Sequence, residues 1–181
     1  MKCLKLSSII ILALVFCFSQ KSISQNSLNI SFEFQAYPTG LIPGVSVDAS
    51  VGPKSIIYGR VGYNWIRHRD LGKHEDERGD GWGFSLAYKR AFKNSNEGWR
   101  LGVKTDLWWN SIDWKEGNQT GSTDITVIQP TIELSHVFQY ANLVFTPSLA
   151  LGYEVNIKTV GENTGEGAIV LIGFQIGKRL R

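Results

Sequence analysis

The chain has 181 residues, with 19 lysines and arginines against 16 aspartates and glutamates. That length supports one domain rather than two, and removal of an expected leader holding Lys2, Lys5 and Lys21 leaves 16 basic and 16 acidic residues. A balanced charge gives no reason to expect a nucleic-acid partner, and with both cysteines (Cys3 and Cys17) in the leader, disulfides and thiol chemistry are excluded from the rest.

Residues 1–24 read as a cleaved export signal. Lys2 and Lys5 give the positive start, Ile9 to Phe18 is an unbroken apolar run, and the small residues Ser22 and Ser24 suit cleavage between Ser24 and Gln25. Phe16 before Cys17 is too large for a lipoprotein cleavage site. Residues 25–181 form the remaining domain. They show no helical period, only recurrent alternation.

The first expected strand, Ile30 to Tyr37, alternates Ile30, Phe32, Phe34 and Ala36 with Ser31, Glu33 and Gln35. The second, Val45 to Val51, sets valines and Ala49 against Ser46, Asp48 and Ser50. The third, Ile57 to Arg67, carries Ile57, Val61, Tyr63 and Trp65 opposite Arg60 and Asn64. The fourth shows Trp82, Phe84, Leu86 and Tyr88, with Lys89 on the other parity. The fifth sets Trp99, Leu101, Val103, Leu107 and Trp109 against Arg100, Lys104 and Asp106. The sixth sets Ile128, Ile132 and Leu134 against Gln129, Thr131, Glu133 and Ser135. From Leu143 to Ile157 every odd residue is apolar, which predicts one long two-faced strand. The eighth shows Val170, Ile172, Phe174 and Ile176. Pro130 and Pro147 fall inside strands, where each removes a ladder hydrogen bond and is expected to mark a bulge or a lateral opening.

Connector lengths alternate. Short turns are expected around 52–55, 93–98 and 139–142. Longer polar loops are expected around 67–81, 113–124 and 158–167, with a shorter stretch at 38–44. An even strand count lets the first strand close on the eighth, and short turns at one rim with long loops at the other suit a transmembrane barrel. The fold class is therefore all-β: a closed, up-and-down, eight-stranded antiparallel transmembrane barrel.

Size decides which face points out. An eight-strand interior holds little more than its own side chains, so the large rings must look outward to lipid. Trp99 and Trp109 share one face, and at about 3.3 Å per residue and a tilt of about 40° they stand about 25 Å apart along the axis, the height of an apolar band between aromatic girdles. Trp82 and Phe92 repeat the spacing, and Trp65 and Tyr153 complete the girdle set. By parity the lumen receives nine charges: Glu33, Asp48, Asp106, Glu133 and Glu154 against Arg60, Lys89, Arg100 and Lys104. Confined charges must be paired, so a plug of ion pairs is expected rather than a conduction path.

In this alternation and loop pattern, residues 26–181 resemble the small eight-stranded outer-membrane barrels of Gram-negative bacteria, the OmpX and OmpA-transmembrane type. One departure is the end, GFQIGKRLR, which puts Phe174 well inside instead of a terminal aromatic. The resemblance implies an outer-membrane location, lipid and lipopolysaccharide as surroundings, and periplasmic chaperones and insertion machinery as assembly partners. It implies a monomer that acts structurally or through extracellular loops.

Other chemistry is weaker. A metal site drawn from His74, Glu75 and Asp76 matches no ligand spacing, so 67–81 reads as a solvated loop whose cations could meet lipopolysaccharide phosphates and whose anions could hold divalent ions. Some such barrels are lipid A acyl hydrolases or palmitoyl transferases. Here His68 and His74 have no nucleophile beyond Ser111 and Ser122, and His136 falls near a turn on the lipid face. A channel of the OmpW type for small apolar molecules needs an apolar lumen, for which parity offers Leu171, Val144 and Trp108. No enzyme activity, cofactor or metal is expected.

Overall fold

The computed structural model describes residues 27–69, 72–93 and 97–180; the expected leader and its cleavage point at Ser24 and Gln25 lie outside them. Eight strands follow one another: β1 (Leu28–Tyr37), β2 (Gly40–Ser50), β3 (Ser55–Arg69), β4 (Asp76–Ala91), β5 (Gly98–Glu116), β6 (Gln119–Tyr140), β7 (Leu143–Val160) and β8 (Gly167–Leu180). Each pairs antiparallel with its sequence neighbour, and β1 closes on β8 from Leu28↔Leu180 to Ala36↔Ile172. Where all eight strands pair, the backbone groups of the wall are thereby spent around a ring with no edge.

The strands run further than the alternation of apolar residues suggested. The expected loop 113–124 is a ladder down to Glu116↔Gln119, closed by a two-residue turn in which Gly117 takes a φ of +55°. Residues 76–80 belong to β4, and 40–44 belong to β2. Polarity misled here. Once both faces of a strand meet water, backbone pairing continues while the apolar period stops.

Heights therefore differ around the ring. At about 3.3 Å per residue and a tilt of about 40°, β1 rises about 25 Å, enough to cross an outer-membrane hydrocarbon layer, whereas β6 rises about 55 Å. The excess lies at the end carrying residues 72–75 and 161–166, termed the loop end; the other is the turn end. There β3–β7 stand above β8, β1 and β2 as a protruding sheet beside a notch.

Each in-strand proline opens a gap in one ladder without shifting it. The β6–β7 pairing passes from Ile128↔Val155 to Thr131↔Gly152 beside Pro130, and from Ser135↔Ser148 to Phe138↔Phe145 beside Pro147. Pro43 does the same between β2 and β3. The bulge expected at a proline sits elsewhere, between Thr126 and Val127, where Ile157 is the extra residue.

The inward row of β4 offers room for a large ring. A Cβ on Gly83 would overlap the Trp108 indole and the Leu107 carbonyl. Gly83→Ala is therefore expected to cost about 1–3 kcal/mol by overpacking, read as a lower urea midpoint of the refolded barrel in lipid vesicles.

Candidate functional site

Neighbouring residues on β5 define the two faces: Trp108 is 1% exposed and Trp109 is 50% exposed. Among the described residues thirty-six large apolar side chains are exposed, nearly all on the outer wall, including Trp65, Trp82, Phe92, Trp99, Trp109 and Tyr153. Towards the loop end, Tyr63 lies edge-on to Trp82 at 4.8 Å and to Trp65 at 5.8 Å, with Trp109 paired to Trp82 on the next strand. Towards the turn end, Trp99 meets His136 edge-on at 4.8 Å, and His136 lies 4.3 Å from Phe138. Two aromatic rows thus bound the apolar belt.

Inside, eight of the nine charges predicted for the lumen are buried. Arg60 is the hub. Its guanidinium reaches Glu33 at 3.2 Å and Asp106 at 2.8 Å, and its Nε donates to Ser85 at 3.0 Å. Glu33 also accepts from Tyr58 at 2.6 Å and Gln175 at 2.8 Å, and Ser85 donates to Asp106. Lys89 pairs with Glu133 at 2.6 Å and lies 4.0 Å over the Tyr58 ring. Lys104 faces Asp106 at 3.4 Å and Glu133 at 3.8 Å and donates to Gln35, and Arg100 faces Asp48 at 3.9 Å. Four acids meet four bases. The ninth, Glu154, stands apart: it is half-buried nearer the loop end and accepts from Gln129 at 2.8 Å.

Above this polar layer lies one of which the sequence showed only Trp108 and Leu171. Ile42, Ile66, Trp108, Ile112, Ile125, Val127, Ala150, Ile169 and Leu171 pack as one buried apolar cluster within the ring. The signal was present: the inward parity simply continues into Ile42, Ile112 and Ile125, at or inside stretches read as loops. The barrel is thus filled twice, by ion pairs and then by a septum over which Arg60 approaches the Trp108 ring at 5.5 Å.

The third layer caps the loop end. Glu77, 0% exposed, accepts from the backbone N–H groups of Lys73 and His74, both at 3.1 Å. Its two oxygens also face His68 Nδ1 at 2.7 Å and His74 Nδ1 at 2.8 Å. His74 reaches Glu162 of the β7–β8 connection through Nε2 at 3.3 Å and stacks on Trp114 of β5 at 4.5 Å. The expected trio of His74, Glu75 and Asp76 does not converge: Glu75 accepts from Gly117 N–H and Asp76 pairs with Arg78. Among the described residues no metal-holding cluster occurs. The reading of 67–81 as a solvated loop needs correction, since His74 and Glu77 are buried. Burial opposes the charged imidazole of His74, but hydrogen bonds to Glu77 and Glu162 outweigh it and hold its pKa above the ordinary 6.5. Burial likewise raises Glu77, and the two histidines outweigh it, holding the carboxyl below its ordinary 4.5.

A cleft of about 370 Å³ opens in the notch, lined by Tyr37, Thr39, His68, Glu154, Glu166 and Ile169 among others. Beside it, β8 residues Gly167–Leu171 lie beyond the β1 ladder, and β7 residues Val155–Val160 lie beyond the β8 ladder. Removing the hub tests the lumen. Arg60→Ala leaves Glu33 and Asp106 without their main cation, so the loss expected in vesicle-based urea unfolding is about 3–5 kcal/mol.

The sequence matches no protein-family model and no curated protein. Solved structures do resemble the chain. The N-terminal β-barrel domain of Pseudomonas aeruginosa OprF is 16% identical with a TM-score of 0.52, covering 84% of this chain and 98% of that one. A major outer membrane protein from Thermus thermophilus is 11% identical with a TM-score of 0.51, covering 87% and 100%. Ail, the attachment invasion locus protein of Yersinia pestis, solved with the heparin analogue sucrose octasulfate, is 13% identical with a TM-score of 0.50, covering 86% and 97%. The chain has the fold of the small eight-stranded outer-membrane β-barrels.

Proposed function

We propose that this protein is an integral outer-membrane barrel whose lumen is plugged and whose work is done by the sheet protruding at its loop end. The observation that carries the reading is the division of the wall. A continuous belt of exposed apolar side chains far exceeds the few hundred Å² that soluble monomers show, while the inside is filled by paired charges and a packed septum. Lipid and lipopolysaccharide surround the belt, and periplasmic chaperones and the insertion machinery deliver the chain. The role is non-enzymatic. Both ring nitrogens of His74 are committed to carboxylates, and His136 sits among outer-wall aromatics.

Above the belt, β8 residues Gly167–Leu171 run beyond the β1 ladder and flank the notch cleft, the geometry by which an extended segment of another protein adds to a sheet, whereas Asn156 of the neighbouring β7 stretch is already bonded to Glu166. Residues 67–80, 111–126 and 154–166 hold eleven acidic against six basic residues, so this rim favours a basic segment or divalent ions bridging to lipopolysaccharide phosphates, and disfavours a polyanion of the kind bound to Ail.

Purified protein in a planar bilayer is expected to give no stepwise conductance at moderate voltage. Discrete, reproducible openings would contradict the plugged barrel and favour a narrow channel.

A further inference from the structure

We propose that His74 is a proton-operated clasp that binds the three tall connections of the loop end together, and that losing its proton frees the β7–β8 connection beside the notch. This deepens the reading above, because that connection supplies Gly165 and Glu166 to the cleft wall.

The geometry demands a charged imidazole. Nδ1 faces Glu77 Oε1 at 2.8 Å and Nε2 faces Glu162 Oε2 at 3.3 Å. Carboxylates only accept, so both ring nitrogens must carry hydrogen, and a neutral imidazole has one N–H. On deprotonation one carboxylate must let go. Glu77 is held by two backbone N–H groups and by His68, and it is wholly buried. The Glu162 side chain is 60% exposed and returns readily to water. Glu162 is therefore the partner released.

The charged groups around the ring agree with this. From its own hairpin it meets Glu77, with His68 sharing that carboxylate. From the β5–β6 hairpin it meets the Trp114 face and the field of Glu116, and from the β7–β8 connection it meets Glu162. Glu75 accepting from Gly117 N–H ties the first two connections independently. The third meets the other strands through His74 and through Glu162 N–H donating to Thr123 at 3.1 Å, while Asn156 of β7 holds only its far half, donating to Thr164, Gly165 and Glu166.

The sign follows. A histidine raised above 6.5 by folding contributes fully below that pH, and its contribution is lost as pH rises through the higher folded value. Glu77, lowered from 4.5, contributes above that pH and loses its contribution as pH falls through its folded value. The clasp is tightest between about pH 4.5 and 6.5 and opens on the alkaline side.

Hydrogen–deuterium exchange of the detergent-folded full chain, corrected for intrinsic exchange, tests this at pH 5.5 and 8.5. Peptides spanning 161–166 should lose about tenfold protection at pH 8.5, the effect of losing one hydrogen bond to a charged group, while the lower wall stays unchanged. His74→Gln should be weakly protected at both pH values, and His68→Gln should still respond. Equal wild-type protection at both pH values, or a response that vanishes in His68→Gln and persists in His74→Gln, overturns the clasp. Should His74→Gln fail the heat-modifiable gel test of folding, an NMR titration of the wild-type His74 ring decides: a midpoint above 6.5 shared with the loop shifts supports the clasp, and separate midpoints overturn it. Failure of the notch to bind any basic segment would leave these results intact and would count only against the surface role.

Discussion

A closed sheet in which neighbouring residues face opposite media is the constraint on which everything else depends. Closure satisfies the wall's backbone hydrogen bonds sideways, and the period of two then sorts side chains without further choice. Trp108 and Trp109 are chemically identical and adjacent in the chain, yet one is part of a packed septum and the other stands on an exposed aromatic row. A slip of one residue anywhere would exchange those fates, so burial on one side pins the register of the whole ring.

The lumen adds specificity to that register. Taking eight charges from water is costly, and the attraction between partners repays it only when every group is matched. Arg60 on β3 gathers Glu33 from β1, Asp106 from β5 and Ser85 from β4, so one side chain fixes the stagger of four strands. Trp108 then fills the space left by Gly83, and aliphatic residues, mostly isoleucines, from the surrounding strands close over the polar layer. The proposal of a plugged barrel rests on this charge balance and on this packed volume.

Wherever one face was apolar the fold was legible in the sequence. Strand number, order and direction followed from alternation, and the buried charges of β1–β6 followed from its parity. Legibility ended where both faces became polar. Residues 113–124 look like a loop in the sequence because backbone pairing leaves no trace in hydropathy, although Asp113↔Ser122 and Lys115↔Thr120 are ordinary ladder pairs. The same limit hides much of the septum: parity shows Trp108 and Leu171 facing inward, but Ile42 and Ile125 lie at or inside stretches that read as connections. Glu154 shares the inward parity but sits beyond the polar layer, a matter of height rather than of face. The His74 contacts were invisible for another reason: Glu162 is 88 positions away, and only the folded rim brings it near.

The rim is thus the part that sequence described least and the part on which the proposed surface role rests, whereas orientation of the wall is the premise shared by every conclusion. The most direct test of that premise uses two refolded single-tryptophan variants, one retaining only Trp108 and the other only Trp109, placed in bilayers with brominated acyl chains. The account predicts strong quenching of Trp109 and little of Trp108. Quenching of Trp108 with Trp109 spared, or a mature chain that stays folded and dispersed in plain buffer, would contradict it.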